Sequence, residues 1–188
     1  MKIICVGLNY WKHAAEMGRP LPQEPMIFLK PDSALLKKNK HFFMPDFSKN
    51  MQFEAELVLR ISKLGKGIAA KYAYRYYDAF TVGIDFTARD LQHRFSQAGH
   101  PWELSKTFDG SAPLGTFIPA EKFPDHSDIS FSLEVNGETR QEGNTSDLIF
   151  SFASVIEYVS RFYTLKTGDL IFTGTPSGVG PVKKGDHL

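Results

Sequence analysis

A chain of 188 residues with a net charge of +1 is long enough for one domain with a sizeable core, and it has no basic excess to indicate nucleic-acid binding. Its single cysteine, Cys5, excludes an internal disulfide framework and indicates a reducing compartment. No apolar run could span a membrane and no signal-peptide pattern opens the chain, so we expect a cytoplasmic protein without membrane contact.

The first part of the chain predicts a buried strand at residues 2–6, a short helix within residues 9–18 and a proline-rich loop at 19–25. His13 and Glu16 are three residues apart, so their side chains are neighbours on this helix. A carboxylate beside an imidazole fixes the ring tautomer and suits a general base. The same spacing also occurs in surface ion pairs, and that alternative stays open.

The central strand is predicted at residues 53–61, where apolar and polar residues alternate with the period of a β-strand. Glu54 and Glu56 point to the same side of it, about 7 Å apart. Like charges that close repel each other, and a hard divalent cation with oxygen ligands would remove the repulsion. The alternative is a solvated strand face that carries two glutamates.

Asp85 lies at the end of another predicted strand, residues 79–86, just before a helix predicted over residues 88–97. We expect Thr87 to be the N-cap of that helix, with Asp90 completing a variant of the capping box. An aspartate at such a strand end is well placed to bind a metal ion at the rim of a sheet. A turn-forming aspartate is the alternative.

The remaining elements follow from local patterns. Asn136-Gly137 predicts a hairpin between residues 131–135 and 138–141. Strands are predicted at 26–31, 114–118 and 170–173, and residues 41–47 could form an edge strand at most. Residues 37–40 predict a basic solvated turn, residues 69–77 a helix, and residues 101–110 a loop with a lone Lys106. A further helix follows Ser151, and its apolar stripe consists of Phe152, Val155, Ile156, Val159, Phe162 and Tyr163.

After that last strand, residues 174–181 form a loop rich in glycine and threonine, whose backbone N–H groups could bind an anion. No Gly-Lys-Ser/Thr sequence follows, so this is not a Walker loop. Residues 184–188 predict a turn with a strand just beginning, so we expect the natural chain to continue past Leu188.

Seven motifs in a fixed order resemble the fumarylacetoacetate hydrolase family, and above all its small single-domain acylpyruvate hydrolases and oxaloacetate decarboxylases. They are Asn9-Tyr10-x-x-His13-x-x-Glu16, Phe28-Leu29-Lys30-Pro31, Glu54-x-Glu56, Asp85-x-Thr87-Ala88-Arg89-Asp90-x-Gln92, Pro101-Trp102-x-x-x-Lys106, Val135-Asn136-Gly137-Glu138 and Thr173-Gly174-Thr175-Pro176-x-Gly178-Val179-Gly180-Pro181.

The resemblance implies a strand-rich α+β fold, a mixed β-sheet roll with a few short helices of the type found in the family's C-terminal domain. It implies a single catalytic domain over residues 1–188 that forms a homodimer. It also implies roles for nine residues: Glu54, Glu56 and Asp85 as ligands of Mg²⁺ or Mn²⁺, a His13–Glu16 dyad on a short lid helix, Lys106 as a further catalytic group, and Arg89, Gln92 and Thr175 as substrate-binding residues.

Such a site suits a 2-oxo acid. The predicted reaction is hydrolysis of a carbon–carbon bond in an acylpyruvate-type 2,4-diketo acid, with His13 taking a proton from water and the metal stabilising a pyruvate enolate. Lys106 would add positive charge near an oxyanion. The alternatives are oxaloacetate decarboxylation, isomerisation of 2-hydroxyhepta-2,4-diene-1,7-dioate, and a metal-binding relative without catalysis. The three carboxylates and one divalent cation would leave the site at −1.

Overall fold

A computed structural model describes residues 1–36 and 40–188, so most of the basic turn predicted at residues 37–40 lies outside the described residues. The described part forms thirteen strands and three α-helices. The strands are β1 (Ile3–Gly7), β2 (Met26–Lys30), β3 (Leu35–Leu36), β4 (Met51–Phe53), β5 (Ala55–Ile61), β6 (Tyr77–Ile84), β7 (Thr87–Ala88), β8 (Ala112–Pro113), β9 (Ile118–Pro119), β10 (Ser130–Val135), β11 (Glu138–Asn144), β12 (Leu170–Phe172) and β13 (Gly180–Pro181). The helices are α1 (Trp11–Glu16), α2 (Arg89–Gln97) and α3 (Phe152–Phe162), and short 3₁₀ helices occupy Asp32–Ala34, Ala70–Arg75, Glu103–Ser105, Ala120–Lys122 and Thr145–Asp147.

The largest sheet has six strands in the order β2-β1-β12-β5-β6-β9. β1 and β12 run parallel, and the other neighbours are antiparallel. Both faces of this sheet are covered, because alternate residues of β5 enter two different core clusters: Leu57 and Leu59 pack with α3, whereas Val58 packs with Cys5 and Phe172. Cys5 is buried, as expected.

Helix α3 closes one face of the sheet. Its N-cap is Ser151, whose Oγ accepts a hydrogen bond from the backbone N–H of Ser154 at 3.3 Å, which satisfies a donor that the helix itself cannot. Four residues of the predicted apolar stripe are buried, and each such side chain stabilises the fold by about 1.5–3 kcal/mol. Phe162 was wrongly included, since it is 61% exposed where the helix ends. The buried residues of the stripe are Phe152, Val155, Ile156 and Val159.

The hairpin is confirmed. Asn136 and Gly137 both have positive φ, 55° and 81°, as a two-residue turn with right-handed strand twist requires. The return strand β11 is longer than predicted and runs to Asn144. The inner side of this hairpin packs on a separate core cluster with β4 and β7, which form a three-stranded sheet with β13.

Several local predictions were wrong. Residues 70–75 form a 3₁₀ helix, not an α-helix, and among them Ala73 alone is buried. This segment contains two tyrosines, which lose side-chain freedom in a helix, and it has no apolar stripe to pack. The segment 114–118 is not one continuous strand: it meets β6 through a bridge from Leu114 to Gly83, and again at Ile118, where the two-residue strand β9 begins. Residues 41–47 hold no strand, which agrees with the expectation of an edge strand at most.

Thr87 is not the N-cap of α2. It pairs with β4 as part of β7, and Ala88 occupies the cap position without a side-chain hydrogen bond. The predicted central strand is also two strands, because β4 ends at Phe53 and β5 begins at Ala55. Glu54 therefore lies where the chain passes from the small sheet into the large one.

Candidate active site

Three carboxylates meet beside this crossing point. In the register of β5 and β6, Ala55 lies opposite Ile84, and the backbone N–H of Asp85 donates to the carbonyl of Glu54 at 2.8 Å. Glu54, Glu56 and Asp85 each offer one oxygen, and these atoms lie within 4.8 Å of one another. All three residues are buried, with at most 5% exposure. The alternatives of a solvated strand face and of a merely turn-forming aspartate are therefore wrong.

Cations contact two of these buried carboxylates, Glu54 and Asp85. Lys106 Nζ donates to Glu54 Oε2 at 2.8 Å and to Asp85 Oδ2 at 2.7 Å. Arg89 donates to the other oxygen of Glu54, and Lys30 Nζ lies 2.7 Å from Asp85 Oδ1. Because a buried charge without a partner is costly, each of these contacts favours the ionised carboxylates.

Lys30 is a site residue to which the sequence assigned no role. Its side chain is fully buried, and its ammonium donates to Ser111 Oγ at 2.9 Å and to the carbonyl of Lys106. Lys30 thus holds both Asp85 and the backbone that carries Lys106. The available signal was a lysine at the end of an otherwise apolar strand, in the motif Phe28-Leu29-Lys30-Pro31.

The protonation of the carboxylates differs. Burial raises the pKa of Glu54, but the positive charges of Lys106 and Arg89 outweigh this effect, so its pKa lies well below the usual value. Burial, together with the charges of Asp85 and Glu54, raises the pKa of Glu56 well above its usual value. Burial lowers the pKa of Lys106, but the negative charges of Asp85 and Glu54 raise it by more, so its pKa lies above the usual value.

The three carboxylates fit a hard divalent cation. Asp85 Oδ1 is buried and, among the described residues, has no hydrogen-bond partner, since Lys30 Nζ is close but not aligned with it. Glu56 Oε2 accepts a hydrogen bond from the backbone N–H of Gly174 at 2.7 Å, and a set of carboxylate oxygens is what Mg²⁺ and Mn²⁺ prefer. With the three cationic side chains included, the loaded site would carry +2, not the −1 expected from the carboxylates alone.

The dyad predicted on α1 forms at the edge of this centre. His13 Nδ1 lies 3.1 Å from Glu16 Oε2, and the backbone N–H of Gly178 donates to Glu16 Oε1 at 3.1 Å. Gly178 has φ of +95°, and a Cβ there would meet the carbonyl oxygen of Arg140 at 2.3 Å, so only glycine fits. If Nδ1 donates to the carboxylate, Nε2 is the nitrogen left for substrate or water. His13 is only 4% exposed, which excludes the surface ion pair.

A second unpredicted residue, Gln141 of β11, joins the glycine-rich loop to the metal-binding strand. Its Oε1 accepts from the backbone N–H of Ala55 at 2.8 Å, between the two glutamates. Its Nε2 donates to Thr175 Oγ1 at 2.8 Å and to the carbonyl of Pro176 at 2.9 Å. Thr175 Oγ1 in turn donates to the carbonyl of Ala55 at 2.9 Å. In the sequence, Gln141 is one polar residue in a hairpin strand, with no local sign of this role.

Most of the predicted side chains border one cavity of about 660 Å³, a volume typical of small-molecule sites. Eight of the nine side chains named from the sequence line it, and Glu16 supports His13 from behind. Their roles as ligands, catalytic groups and substrate-binding groups stay predictions. The lining also includes Arg19, His93 and His100, which the sequence did not single out. The eight predicted residues are His13, Glu54, Glu56, Asp85, Arg89, Gln92, Lys106 and Thr175.

The helices bear on the expectation that no segment crosses a membrane. Within residues 1–36 and 40–188, no helix is both long and apolar enough to cross a membrane.

Comparison with known proteins places this cavity in context. The family described as "Fumarylacetoacetate (FAA) hydrolase C-terminal" matches residues 2–188. The oxaloacetate tautomerase of Escherichia coli (strain K12) is 42% identical over 188 residues, which is 100% of this chain and 86% of that protein.

Two solved structures are similar to this chain in both sequence and fold. The crystal structure of fumarylpyruvate hydrolase from Pseudomonas aeruginosa, in complex with Mn²⁺ and pyruvate, has a TM-score of 0.93 at 41% identity and covers 99% of this chain and 82% of that one. The 5-carboxymethyl-2-hydroxymuconate delta-isomerase from Mycobacterium smegmatis has a TM-score of 0.85 at 38% identity, covering 98% of this chain and 71% of that one. These likenesses confirm the expected strand-rich α+β roll of mixed sheets.

Proposed function

Because the chain belongs to the fumarylacetoacetate hydrolase family, whose members act as hydrolases, tautomerases and isomerases, we propose that it is a divalent-metal-dependent hydrolase of acylpyruvate-type 2,4-diketo acids. Glu54, Glu56 and Asp85 would hold Mg²⁺ or Mn²⁺. The observation that carries the proposal is an oriented base on the same cavity wall: His13, held by Glu16, opens onto the space that the three carboxylates border.

The inner end of the cavity suits the pyruvate part of such a substrate. Arg89 and Lys106 provide positive charge beside the carboxylates, and Thr175 lies on the glycine-rich loop that carries N–H donors. When bound, the divalent cation supplies Lewis-acid stabilisation for negative charge that develops on the substrate. The binding residues then orient the substrate with its second carbonyl toward His13.

His13 activates the water. Its Nε2 takes a proton from water while the water oxygen bonds to the carbonyl carbon farther from the substrate carboxylate, and Glu16 stabilises the imidazolium that forms. The bond between that carbon and the methylene carbon breaks, and its electron pair passes into a pyruvate enolate. Lys106 stabilises the enolate charge. The imidazolium returns a proton to the methylene carbon, so the products are pyruvate and the carboxylic acid of the acyl group.

A second candidate is keto–enol tautomerisation of a 2-oxo acid, which the likeness to the tautomerase from Escherichia coli favours. His13 would then take the proton from the carbon next to the keto group and return it to oxygen, and no water would be consumed. Decarboxylation of oxaloacetate and isomerisation of a 2-hydroxy-diene-dioate also pass through an enolate or dienolate of a 2-oxo acid, and both reactions are tested alongside it.

A substrate panel distinguishes these reactions. Purified protein with Mg²⁺ or Mn²⁺ is assayed on acetylpyruvate, fumarylpyruvate, oxaloacetate and a 2-oxoheptenedioate, with pyruvate release, enol absorbance and carbon dioxide followed separately. We expect pyruvate from an acylpyruvate, with loss of turnover in EDTA. Tautomerisation or decarboxylation without acylpyruvate cleavage would favour the second set of reactions, and turnover that persists in EDTA would contradict the metal role.

A homodimer and a cytoplasmic location also stay predictions. Light scattering on the eluted protein would test the first, with twice the chain mass expected. Localisation of the tagged, full-length protein in its host would test the second.

A further inference from the structure

We infer that Asn9 is a positioning residue for His13: it fixes the start of α1, and thereby the imidazole, relative to the buried carboxylates. The inference rests on the proposed function in one respect, which is that His13 acts as the base. Asn9 opens the motif Asn9-Tyr10-x-x-His13-x-x-Glu16, in which the sequence assigned a role to the histidine and the glutamate alone.

Helix α1 is too short to fix the position of His13 by itself. It has six residues, and its N-cap, Tyr10, makes no side-chain capping hydrogen bond. A helix of this length is marginal in water, so its orientation depends on contacts made by the chain around it. The chain also turns sharply before the helix, because Leu8 has φ of +54°, in the left-handed region that leucine rarely adopts. A helix entered in this way needs an anchor close to its first residue.

Asn9 provides that anchor with both polar atoms of its side chain, which is fully buried. Its Oδ1 accepts a hydrogen bond from the backbone N–H of Phe150 at 2.7 Å. Its Nδ2 donates to the carbonyl of Phe150 at 3.1 Å and to the carbonyl of Thr173 at 2.8 Å. The opposite orientation of the amide would place its oxygen against two carbonyls, so only one orientation satisfies these partners. The start of α1 is thus bonded to the ends of two other segments.

The bond to Thr173 connects this anchor with the carboxylates. The carbonyl of Thr173 and the N–H of Gly174 belong to one planar peptide unit. That N–H donates to Glu56 Oε2 at 2.7 Å, so one rigid unit joins the Asn9 amide to a proposed metal ligand. Gly174 has φ of +104°, and a Cβ there would lie 2.7 Å from the Cβ of Asn9, so the two residues pack directly against each other. Asn9 therefore holds both the chain that leads to His13 and the peptide that holds Glu56.

The first measurement needs neither metal nor turnover. Amide hydrogen exchange of the full-length, metal-free protein, followed by NMR, reports on Ala14 and Met17, whose backbone N–H groups donate at 3.0 Å to carbonyls at the start and in the middle of α1. In Asn9→Ala both amides should exchange at least about fivefold faster, because the helix has lost its fixed start.

Ser160→Ala is the matched control. Ser160 is a fully buried residue of α3 outside the cavity, and its Oγ accepts from the backbone N–H of Ile68 at 2.8 Å and donates to the carbonyl of Glu157 at 3.1 Å. Its loss should lower stability, as the loss of Asn9 does, but should leave the exchange of Ala14 and Met17 and the value of kcat unchanged.

The second measurement is a double-mutant cycle with His13. kcat and KM for the acylpyruvate cleaved in the substrate panel are measured at saturating Mg²⁺ for the wild type, the two single variants and the double variant. Asn9→Ala should lower kcat by about 10- to 100-fold with little change in KM, because the base moves while the groups that bind the substrate stay. In the His13→Ala background, the same change should lower kcat by no more than about twofold, since an effect that acts through His13 ends with it.

Three results would overturn the inference: unchanged exchange of α1 in Asn9→Ala, lower stability with an unchanged kcat, or an equally large loss of kcat in the absence of His13. If Asn9→Ala does not fold, Asn9→Ser, which keeps one donor, replaces it in both measurements with changes expected in the same direction. Failure of the proposed function is a different result. The wild type would then cleave no acylpyruvate in the substrate panel, while the faster exchange of Ala14 and Met17 in the Asn9 variant would still support the anchoring of His13.

Discussion

The inner end and the mouth of the cavity are built in opposite ways. At the inner end, three carboxylates and two lysines are buried, and two of the carboxylates, Glu54 and Asp85, contact the lysines at hydrogen-bond distance. At the mouth, Arg19 and His93 are exposed and project from the surface of the chain. Buried charges depend on one another, so a change there affects stability and chemistry together, whereas an exposed side chain can change with little effect on the fold. We therefore expect substitutions at the inner end to change stability and activity together, and substitutions at the mouth to leave the fold intact.

The largest effect should come from Asp85→Ala. This change removes one carboxylate and a partner of both buried lysines, so we expect Mg²⁺ affinity to be lost and turnover to fall by at least about 10³-fold, while circular dichroism shows a retained fold. Asp78→Ala is the control and should retain turnover, because Asp78 is an exposed residue of β6, the strand that Asp85 follows. An Asp85→Ala protein with turnover within tenfold of wild type would show that the inner carboxylates do not decide the chemistry.

His13→Ala should rank next, because His13 lines the same cavity but is not one of the proposed metal ligands. Acylpyruvate cleavage should fall by about 10² to 10⁴-fold, the usual effect of a positioned base. Oxaloacetate decarboxylation should fall much less, since it needs no activated water, and Mg²⁺ affinity should be unchanged. Lys12→Ala, the exposed neighbour, is the control. Equal losses in both reactions would contradict the role in water activation.

Lys30→Met sharpens the comparison in terms of stability. Removing one partner of a buried ion pair should lower the free energy of unfolding by about 3–5 kcal/mol. The exposed pair of Arg60 and Asp78 has similar contacts, 2.8 and 3.0 Å, and Arg60→Met should cost less than about 1 kcal/mol. Urea unfolding of the two variants measures both values. Similar values for the two pairs would mean that burial is not what distinguishes the inner end.

Gln141→Leu tests a buried contact that carries no charge. Three hydrogen bonds disappear between the glycine-rich loop and the strand with the two glutamates, so kcat/KM should fall by about 10- to 100-fold as the site loses its alignment. Thermal unfolding and steady-state kinetics measure the two consequences separately. Arg140→Leu, the exposed neighbour, should leave kcat/KM unchanged. A purely structural role would lower stability alone.

The smallest effect is expected at Asp169, a buried carboxylate outside the cavity. Burial raises its pKa, but hydrogen bonds from Lys2 and from the backbone of Lys166 outweigh this, and its pKa lies below the ordinary value of 3.8. Because the folded state favours the charged form, its stabilisation is present above pH 3.8 and is lost as pH falls through the lower, folded pKa. Asp169→Asn should cost about 1–2 kcal/mol in urea unfolding at pH 7.

The control for this prediction is the pH series itself. The difference in unfolding free energy between Asp169→Asn and wild type should shrink once the pH falls below 3.8. A difference that stays constant with pH would show that the charge of this aspartate contributes nothing. Asp78→Asn, at an exposed pair, should show almost no difference at either end of the series.

The parts of the fold and site that the sequence predicted are those with a local pattern. Alternation identified the strand with Glu54 and Glu56, helical spacing identified His13 with Glu16, and Asn136-Gly137 identified the hairpin. Lys30 and Gln141 were not assigned a role, because their partners Asp85 and Ala55 lie 55 and 86 residues away in the chain. Thr87 was assigned as a helix cap for the same reason, since its bond to Glu54 spans 33 residues.

The parallel pairing of β1 with β12 has a consequence for how the protein is made. Ile3 lies beside Leu170, and the backbone N–H of Lys2 donates to Asp169 across 167 positions of the chain. Because synthesis proceeds at about 5–20 residues per second, roughly ten to thirty seconds pass between the synthesis of β1 and that of β12. Until then the apolar residues of β1 have one partner strand, β2, and an open edge. Chaperone capture during synthesis should therefore be strongest while this edge is unpaired, and should end when residues 170–172 emerge.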